Sequence, residues 1–223
     1  MTHFSAKLTW MNNRSPYSWI IIIFMNARSS SPNTQARQQI VAASHRLFLE
    51  QGYNGTSMRQ IAKESHVALG SLYNHFSGKE QLFAAVFDAF NPYPILLLAL
   101  ENSQGATAED LVHTAARRMV IALSARPDLV KLVFIDVVEF QGRHLQQAYP
   151  QVAARMQHFV QRLQLLSDDL RPIPAENLLR AFFGLFYTFH MTDMLIGSPT
   201  NPESQPAAVQ DLAEIYLHGI LKS

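Results

Sequence analysis

The sequence predicts an all-α protein, with a small head of short helices on the N-terminal side and a larger helical bundle after it. Apolar residues recur at three- and four-residue spacing along most of the chain. Between Ser57 and Lys79, two short helical patterns are separated by a tight turn. The apolar run from Asp128 to Phe140 is rich in β-branched residues but has no partner strand in the sequence, so we assign it as a buried helix.

Residues 1–32 do not fit either domain. The stretch from Trp19 to Met25 is very apolar, but it is much shorter than the ~20 residues that a membrane-spanning helix needs. A polar leader follows it. We interpret Met25 as the natural start and residues 1–24 as an upstream extension, with a disordered or lightly docked tail as the open alternative. We expect no association with a membrane.

The head begins with a helix from Thr34 to Gln51, which Gly52 ends. Ser57 and Gln60 have the spacing of a capping box, which predicts the start of a second helix. Residues 65–67 are typical of a turn, and residues 68–75 form a third helix. Two short helices joined by such a turn are the helix-turn-helix pattern, whose second helix enters the major groove of DNA.

A series of short matches to one protein family runs in order through residues 34–87. The matching pieces are Ile40–Ala43, Leu47–Phe48, Gly52–Tyr53, Thr56–Ser57, Ile61–Ala62, Val67, Gly70–Tyr73, His75–Phe76, Lys79–Glu80 and Leu82–Phe83. This region resembles the N-terminal DNA-binding domain of the TetR family of bacterial transcriptional repressors. The rest of the chain is similar to that family only in length and helical texture.

Two residues of the head depart from the family's pattern. His66 stands where the family usually has glycine, at a turn position that takes a positive φ, so we expect the turn to persist at some cost. Ala68 stands where the family often has Ser or Thr. Because alanine cannot cap a helix, this change costs about 1 kcal/mol of helix stability.

The resemblance and the helix geometry together give the expected DNA contacts. Residues on the first turns of the recognition helix face base edges, and these are Leu69, Gly70, Ser71 and Asn74. Phosphate contacts are expected from Ser57, Tyr73, His75 and Lys79. For Tyr73 and His75, ordinary packing in a small domain is the alternative.

The larger domain follows the head, with the head at residues 33–80 and the body at residues 81–223. The predicted helices are 79–91, 107–125, 128–140, 150–170, 176–196 and 207–221. After a break at Asn91–Pro94, residues 95–100 are expected to continue as a helix or as an apolar connector. Two loops separate the later ones. Gln141 to Tyr149 is the first, ended by Pro150 as the first residue of a helix, and residues 197–202 form the second.

The helix from Glu176 to Ile196 is apolar around nearly its whole circumference, so it must be buried on all sides. The last helix carries an apolar stripe. The resemblance implies that these two helices form a four-helix bundle with a second copy of the chain. The expected interface residues are Phe182, Phe186, Phe189, Leu212 and Tyr216. A monomeric core is the alternative.

The body is also expected to hold a small-molecule pocket, mostly apolar with a few polar groups. The candidate lining residues are Arg117, Phe134, Asp136, Phe183, Tyr187 and His190. They favour an apolar or amphipathic effector, which is cationic if Asp136 or Glu139 faces the cavity. Such a ligand is expected to push the helix that begins at Lys79.

These observations predict a cytoplasmic, homodimeric transcriptional regulator, a ligand-released repressor that binds a pseudo-palindromic operator in double-stranded DNA. The sequence has no cysteine, and its histidines show no metal-ligand spacing, so we predict no cofactor and no metal. One alternative is a DNA-binding dimer that a protein partner controls without a small ligand. Another is a helical enzyme using Asp136 and Glu139, which are three residues apart. We predict that the chain is not an enzyme.

Overall fold

The structure, a computed structural model, describes residues 31–196 and 205–222, which are almost entirely helical. The predicted N-terminal extension and the loop at 197–202 lie outside the described residues. The helices are α1 (Pro32–Gly55), α2 (Met58–Glu64), α3 (Leu69–His75), α4 (Lys79–Phe90), α5 (Tyr93–Glu101), α6 (Ala108–Ser124), α7 (Pro127–Phe140), α8 (Arg143–Leu166), α9 (Ala175–Ile196) and α10 (Gln205–Ile220). Within the described ranges, the only β-type pairing is an isolated bridge between Leu170 and Leu221. The all-α prediction is confirmed.

The head has a hydrophobic core of its own, built from α1 to α4. Its fully buried side chains include Ile40, Phe48, Ile61, Leu72 and Phe83. This core continues along α4 to Phe90 and takes in Leu132 from α7. It therefore extends past the boundary predicted at residue 80, because all of α4 packs on the head.

The body has a second core around α6, which contacts α5, α9 and α10. The capping box predicted for Thr107 and Asp110 is present at the start of α6. From α9, Phe182 and Phe186 insert into this core, and from α10 so does Tyr216. The described residues thus contain two hydrophobic cores, one in the head and one in the body.

The stretch Lys79–Glu101, formed by α4 and α5, is long and apolar enough to cross a membrane by length and composition alone. Half of its apolar window is buried inside the protein, as in a core helix, which passes the same test. The helix also breaks after Phe90, where Asn91 has extended backbone angles of φ −63° and ψ 158°. Asn91 Oδ1 accepts a hydrogen bond from the backbone N–H of Tyr93 at 3.1 Å, which starts the next helix.

The connection between α7 and α8 differs from the predicted one. Gln141 and Gly142 take left-handed φ values of 56° and 73°, and they alone form the turn. Helix α8 therefore begins at Arg143, and Pro150 lies inside it. The predicted loop at 141–149 and the predicted helix start at Pro150 are wrong.

Candidate nucleic-acid interface and ligand cavity

Local hydrogen bonds fix the helix-turn-helix unit. Ser57 caps α2: its Oγ accepts from the N–H of Gln60 at 3.3 Å, and Gln60 Oε1 accepts from the N–H of Ser57 at 2.8 Å. The turn that follows holds His66 at φ 57°, the left-handed conformation predicted from the sequence. Ala68 stands at the cap position of α3 and makes no side-chain cap bond. The predicted geometry of the turn is confirmed.

Helix α3 divides into a buried side and an open side. Leu72 is fully buried and anchors the helix to the head core. Gly70 and Asn74 are exposed, and half of the Tyr73 side chain is accessible. The open side therefore has no bulky side chain at Gly70, and its polar groups come from Tyr73 and Asn74.

The other predicted DNA contacts lie around this open side. Leu69 and Ser71 are half-buried on the first turn of α3, and Ser57 is exposed at the start of α2. His75 is half-buried at the end of α3, with its ring centroid 6.4 Å from that of Phe76. These residues therefore lie on or directly before the two helices of the helix-turn-helix.

Lys79 is placed differently from its neighbours, because its ammonium is held inside the head. Nζ donates to the carbonyl oxygens of Tyr53 and Thr56 at 2.7 and 2.9 Å, and lies 4.2 Å from the centroid of the Tyr53 ring. An ammonium has three N–H groups, so at most one remains for a phosphate. Lys79 ties the end of α1 to the start of α4, and this structural role was not expected from the sequence.

Several basic side chains that were not among the predicted DNA contacts also lie on or beside the helix-turn-helix. Arg59 and Lys63 are exposed on α2. Arg37 places its guanidinium 5.1 Å from the centroid of the Phe76 ring, next to the end of α3. Arg46 is paired with Glu64 at 2.8 Å, and this hydrogen bond lowers the pKa of the Glu64 carboxyl. The signal available in the sequence was the excess of basic over acidic residues within residues 33–83.

The body contains an apolar cavity of about 320 Å³ between α5, α7, α8 and α9. Its walls include Tyr93, Leu96, Tyr149, Leu179, Phe183 and Tyr187. Glu176 and Arg180 also line it, and they pair with each other at 2.5 Å as exposed side chains. The cavity therefore has an aromatic interior and a charge-compensated ion pair.

Two of the six predicted pocket residues, Phe183 and Tyr187, line this cavity, and the other four do not. Arg117 lines a separate cavity between α6 and α10, and Phe134 is exposed. Asp136 is fully buried at the end of α7, and His190 is buried further along α9. Burial lowers the pKa of His190, with the carboxylate of Asp193 opposing the shift. The structure thus corrects the predicted pocket for those four residues.

Asp136 belongs to the α7–α8 corner, which we define as residues 136–145. Its carboxylate accepts from His144 Nδ1 at 2.6 Å and from the backbone N–H of Leu145 at 3.0 Å. It therefore caps the start of α8 from the preceding helix. Glu139, the other carboxylate of the predicted pair, is exposed and accepts from Asn54 at 2.9 Å. The two carboxylates do not converge on a common site.

The corner packs directly on the head. The Phe140 ring stacks on Phe83 of α4 with centroids 4.6 Å apart, and the His144 ring lies 5.3 Å from the Phe83 centroid. Tyr53 at the end of α1 contacts Phe140 edge-on at 4.9 Å. At the surface, Arg143 pairs with Glu80. The corner is thus an aromatic contact between the body and both α1 and α4.

The predicted dimer residues separate into two groups. Phe182, Phe186 and Tyr216 are buried within the core of a single chain, where the hydroxyl of Tyr216 donates to the carbonyl of Leu178 at 3.1 Å. They are therefore not part of an outer face, which corrects the prediction for these three. Phe189 and Leu212 are half-buried and line an open groove with Gly184 and Thr188 on the outer side of α9 and α10.

Residues 40–86 match the family described as "Bacterial regulatory proteins, tetR family". The HTH-type transcriptional regulator LmrA of Bacillus subtilis (strain 168) is 48% identical over 59 residues, which are 26% of this chain and 31% of LmrA. The HTH-type transcriptional repressor DhaR of Mycobacterium sp. (strain GP1) is 33% identical over 86 residues, or 39% of this chain and 40% of DhaR. The matches thus span less than half the length of these two relatives.

The similarity to known structures includes the body as well as the head. A TetR family transcription regulator from Marinobacter aquaeolei VT8 superimposes with a TM-score of 0.61 at 18% identity, covering 85% of this chain and 97% of that one. At this identity the likeness concerns the fold, and it includes the helical body. The comparisons therefore relate the chain to the TetR family of bacterial regulatory proteins, by sequence at residues 40–86 and by fold over most of its length.

Proposed function

We propose that the chain is a cytoplasmic, homodimeric transcriptional repressor that leaves its operator when an effector fills the cavity of the body. The observation that carries the proposal is the open side of α3, where Gly70, Tyr73 and Asn74 are exposed on the surface of the helical head. A major groove admits a helix of this kind, and an asparagine amide can pair with adenine through two hydrogen bonds. DhaR, which is similar in this region, is named a repressor.

The basic residues around α3 supply the sequence-independent part of the proposed binding. Arg59 and Lys63 on α2 are exposed, and neither forms an ion pair with a carboxylate of the described residues. Ser57 offers the N-terminus of α2 to a phosphate. We assign these groups to the DNA backbone, and the exposed positions of α3 to the bases.

A palindromic operator requires two heads about one helical turn apart, roughly 34–36 Å. The outer groove of α9 and α10, with Phe189 and Leu212, supports pairing of two chains through these helices. A two-fold axis would place the same groove of each chain against the other. The interface is thus proposed to use the outer side of these helices, while Phe182 and Phe186 hold them to the body.

The cavity favours an effector over control by a protein partner alone, because a collapsed body would offer no space to a small molecule. An enzyme that uses Asp136 and Glu139 has no support in the geometry. The buried carboxylate of Asp136 is already hydrogen-bonded to His144 and Leu145, and Glu139 lies at the surface.

Operator binding is tested with DNA from upstream of the chain's own gene, by fluorescence anisotropy over a range of salt concentrations. Lys63→Ala should weaken binding to all sequences and lower the slope of log affinity against log salt by about one. Asn74→Ala should change the preferred base at one position, with a discrimination of about 1–3 kcal/mol. Lys131→Ala, an exposed change on the body, is the control. Identical salt slopes for Lys63→Ala and the control would contradict the proposed docking.

The dimer is tested by light scattering at micromolar concentration. Leu212→Glu places a charge in the outer groove and should give monomers with weak operator affinity, because a single head loses half of the phosphate contacts. Leu165→Glu, at a highly exposed position on α8, should leave the dimer intact. A wild-type protein that is monomeric under these conditions would rule out the proposed assembly.

A further inference from the structure

The cavity is lined by an unusual concentration of aromatic rings. Tyr93 and Tyr149 face each other with ring centroids 6.3 Å apart, and Phe183 and Tyr187 come from the facing helix α9. Its two charged lining residues, Glu176 and Arg180, pair with each other at 2.5 Å. Both are mostly exposed to solvent, with side-chain exposures of 62% and 73%, so neither offers a guest an uncompensated buried charge.

The mostly apolar walls of the cavity also disfavour charged guests. Burial raises the pKa of Tyr93 to about 12, with a smaller contribution from Tyr149, and burial also raises the pKa of Tyr187. In both cases the apolar surroundings penalise the charged phenolate. A charged ligand entering the same space would meet the same penalty, since no buried counter-ion lines the walls.

We propose that the effector is an uncharged aromatic compound carrying a hydrogen-bonding group such as a hydroxyl, and that the Tyr93 hydroxyl binds this group. The inference rests on the proposed function, in which this cavity takes the effector. It replaces the cationic ligand that a carboxylate of Asp136 or Glu139 would have favoured, because neither residue lines the cavity.

The present partner of the Tyr93 hydroxyl explains why this group is available. It donates to the carbonyl oxygen of Leu145 at 3.4 Å, well beyond the usual 2.5–3.0 Å of a bond between two oxygens. Such a bond is weak, so a guest that presents a better-placed acceptor can take the hydroxyl from Leu145. Tyr93 therefore changes its partner when the cavity is filled.

Leu145 connects this exchange to the head. Its backbone N–H donates to Asp136, which also holds the His144 ring against Phe83 of α4. A guest that releases the Leu145 carbonyl and occupies the space beside it shifts the corner. Because the corner packs on α4, this shift also moves α4. The ligand acts on the operator through its different affinities for the two corner positions.

The ligand class is tested by calorimetry with three probes of nearly equal shape: naphthalene, 2-naphthol and 2-naphthoate. The full chain should bind naphthalene and 2-naphthol, and should bind 2-naphthoate at least about tenfold more weakly at neutral pH. Equal or tighter binding of 2-naphthoate would overturn the inference and indicate that Arg180 binds an anion. Absence of binding by 2-naphthol and 2-naphthoate up to about 1 mM, and by naphthalene up to its solubility limit, would overturn it as well.

The role of Tyr93 is tested by operator affinity with and without 2-naphthol, in Tyr93→Phe and in Tyr149→Phe as the matched control. Both changes remove one hydroxyl from the same cavity and keep the ring. Both variants should bind 2-naphthol within about threefold of the wild type, whereas only Tyr93→Phe should lose most of the ligand-induced fall in operator affinity. Equal responses of the two variants would overturn the assignment to Tyr93.

The two levels of the proposal fail in different ways. If the wild type without ligand binds no operator DNA, the proposed function fails, and the calorimetry with the three probes still decides the ligand class. If the wild type binds operator and bound 2-naphthol does not change its operator affinity, the proposed repressor function is retained and the proposed coupling through Tyr93 is wrong.

Discussion

Among the regions where the head meets the body, two differ in kind. At the break between α4 and α5 the chain is continuous, but its backbone turns through an extended Asn91, and one side-chain bond to Tyr93 starts the next helix. At the α7–α8 corner the chain does not pass between head and body. There the buried carboxylate of Asp136 binds His144, and the ring of Phe140 packs on Phe83 of the head.

The break and the corner differ in how well they can transmit a displacement of the body to the head. A helix interrupted by an extended residue and followed by a proline bends easily, because its backbone hydrogen bonds are interrupted there. Packed aromatic side chains with a satisfied buried hydrogen-bond network resist small displacements, so a shift on one side moves the other. We therefore expect the corner to be the stiff joint and the break to be the hinge.

The largest effect is expected from breaking the corner. Asp136→Ala leaves the Nδ1–H of His144 and the N–H of Leu145 without their acceptor in a buried site, and should lower the free energy of unfolding by about 3 kcal/mol. Glu139→Ala on the same helix removes only an exposed bond to Asn54, and should cost less than about 1 kcal/mol. Urea unfolding at a fixed protein concentration measures both, and similar losses would mean that the corner is not a stiff joint.

An intermediate and pH-dependent effect is expected at the other end of α7. Asp128 lies 2.7 Å from Arg126 and 3.4 Å from His45 of the head. Burial acts to raise its pKa, but the interaction with His45 and the two hydrogen bonds from Arg126 outweigh burial and hold the pKa of Asp128 well below its usual range. Asp128→Asn should therefore cost about 2 kcal/mol at neutral pH.

The sign of the pH dependence follows from the lowered pKa of Asp128. The carboxylate contributes its stability above the unfolded-state pKa of about 3.9, and loses it as the pH falls toward the lower folded-state value. The difference between the wild type and Asp128→Asn should thus shrink below about pH 4 in urea unfolding experiments. The exposed Asp168→Asn is the control, and a difference that stays constant with pH would contradict the ion pair.

The smallest effect is expected at the break. Pro94 is exposed on the first turn of α5, where its fixed φ suits a helix, and Pro94→Ala should cost less than about 1 kcal/mol through the greater freedom of the unfolded chain. The same urea experiment measures it beside Asp136→Ala. A loss at Pro94 larger than the loss at Asp136 would reverse the assignment of hinge and stiff joint.

The head could be predicted from the sequence because its signals are local. The bonds that start α2 join residues three apart, Ser57 and Gln60. The left-handed His66 and the missing cap at Ala68 depend only on the backbone at those positions. Chemistry confined to a few neighbouring residues appears directly in the amino-acid order.

The corner could not be predicted in the same way, because its capping group is distant in sequence. Pro150 was interpreted as a helix start since proline favours the first turn. The actual start at Arg143 is capped by Asp136 from the preceding helix, after the left-handed Gln141 and Gly142 reverse the chain. No pattern within residues 141–150 reveals a carboxylate folded back from outside that range.

The outer face of the body was ambiguous for a related reason. Helix α9 is apolar all round, so periodicity cannot say which side meets its own core and which remains outside. Packing against α6 and α10 buries Phe182 and Phe186 and leaves Phe189 half-buried. The Tyr93 hydroxyl was missed because its partner Leu145 is a backbone carbonyl 52 residues away.

The left-handed His66 bears on how the head can evolve. A non-glycine residue at φ 57° carries a conformational penalty of roughly 1–2 kcal/mol, which the packing of the head already offsets. His66→Gly would remove that penalty without touching the side of α3 that faces the bases. Destabilising changes at Gly70 or Asn74 then become easier to tolerate. The turn at His66 therefore limits how many destabilising substitutions the head tolerates, and glycine at this position would widen the range of residues that the proposed DNA-contacting side of α3 can accept.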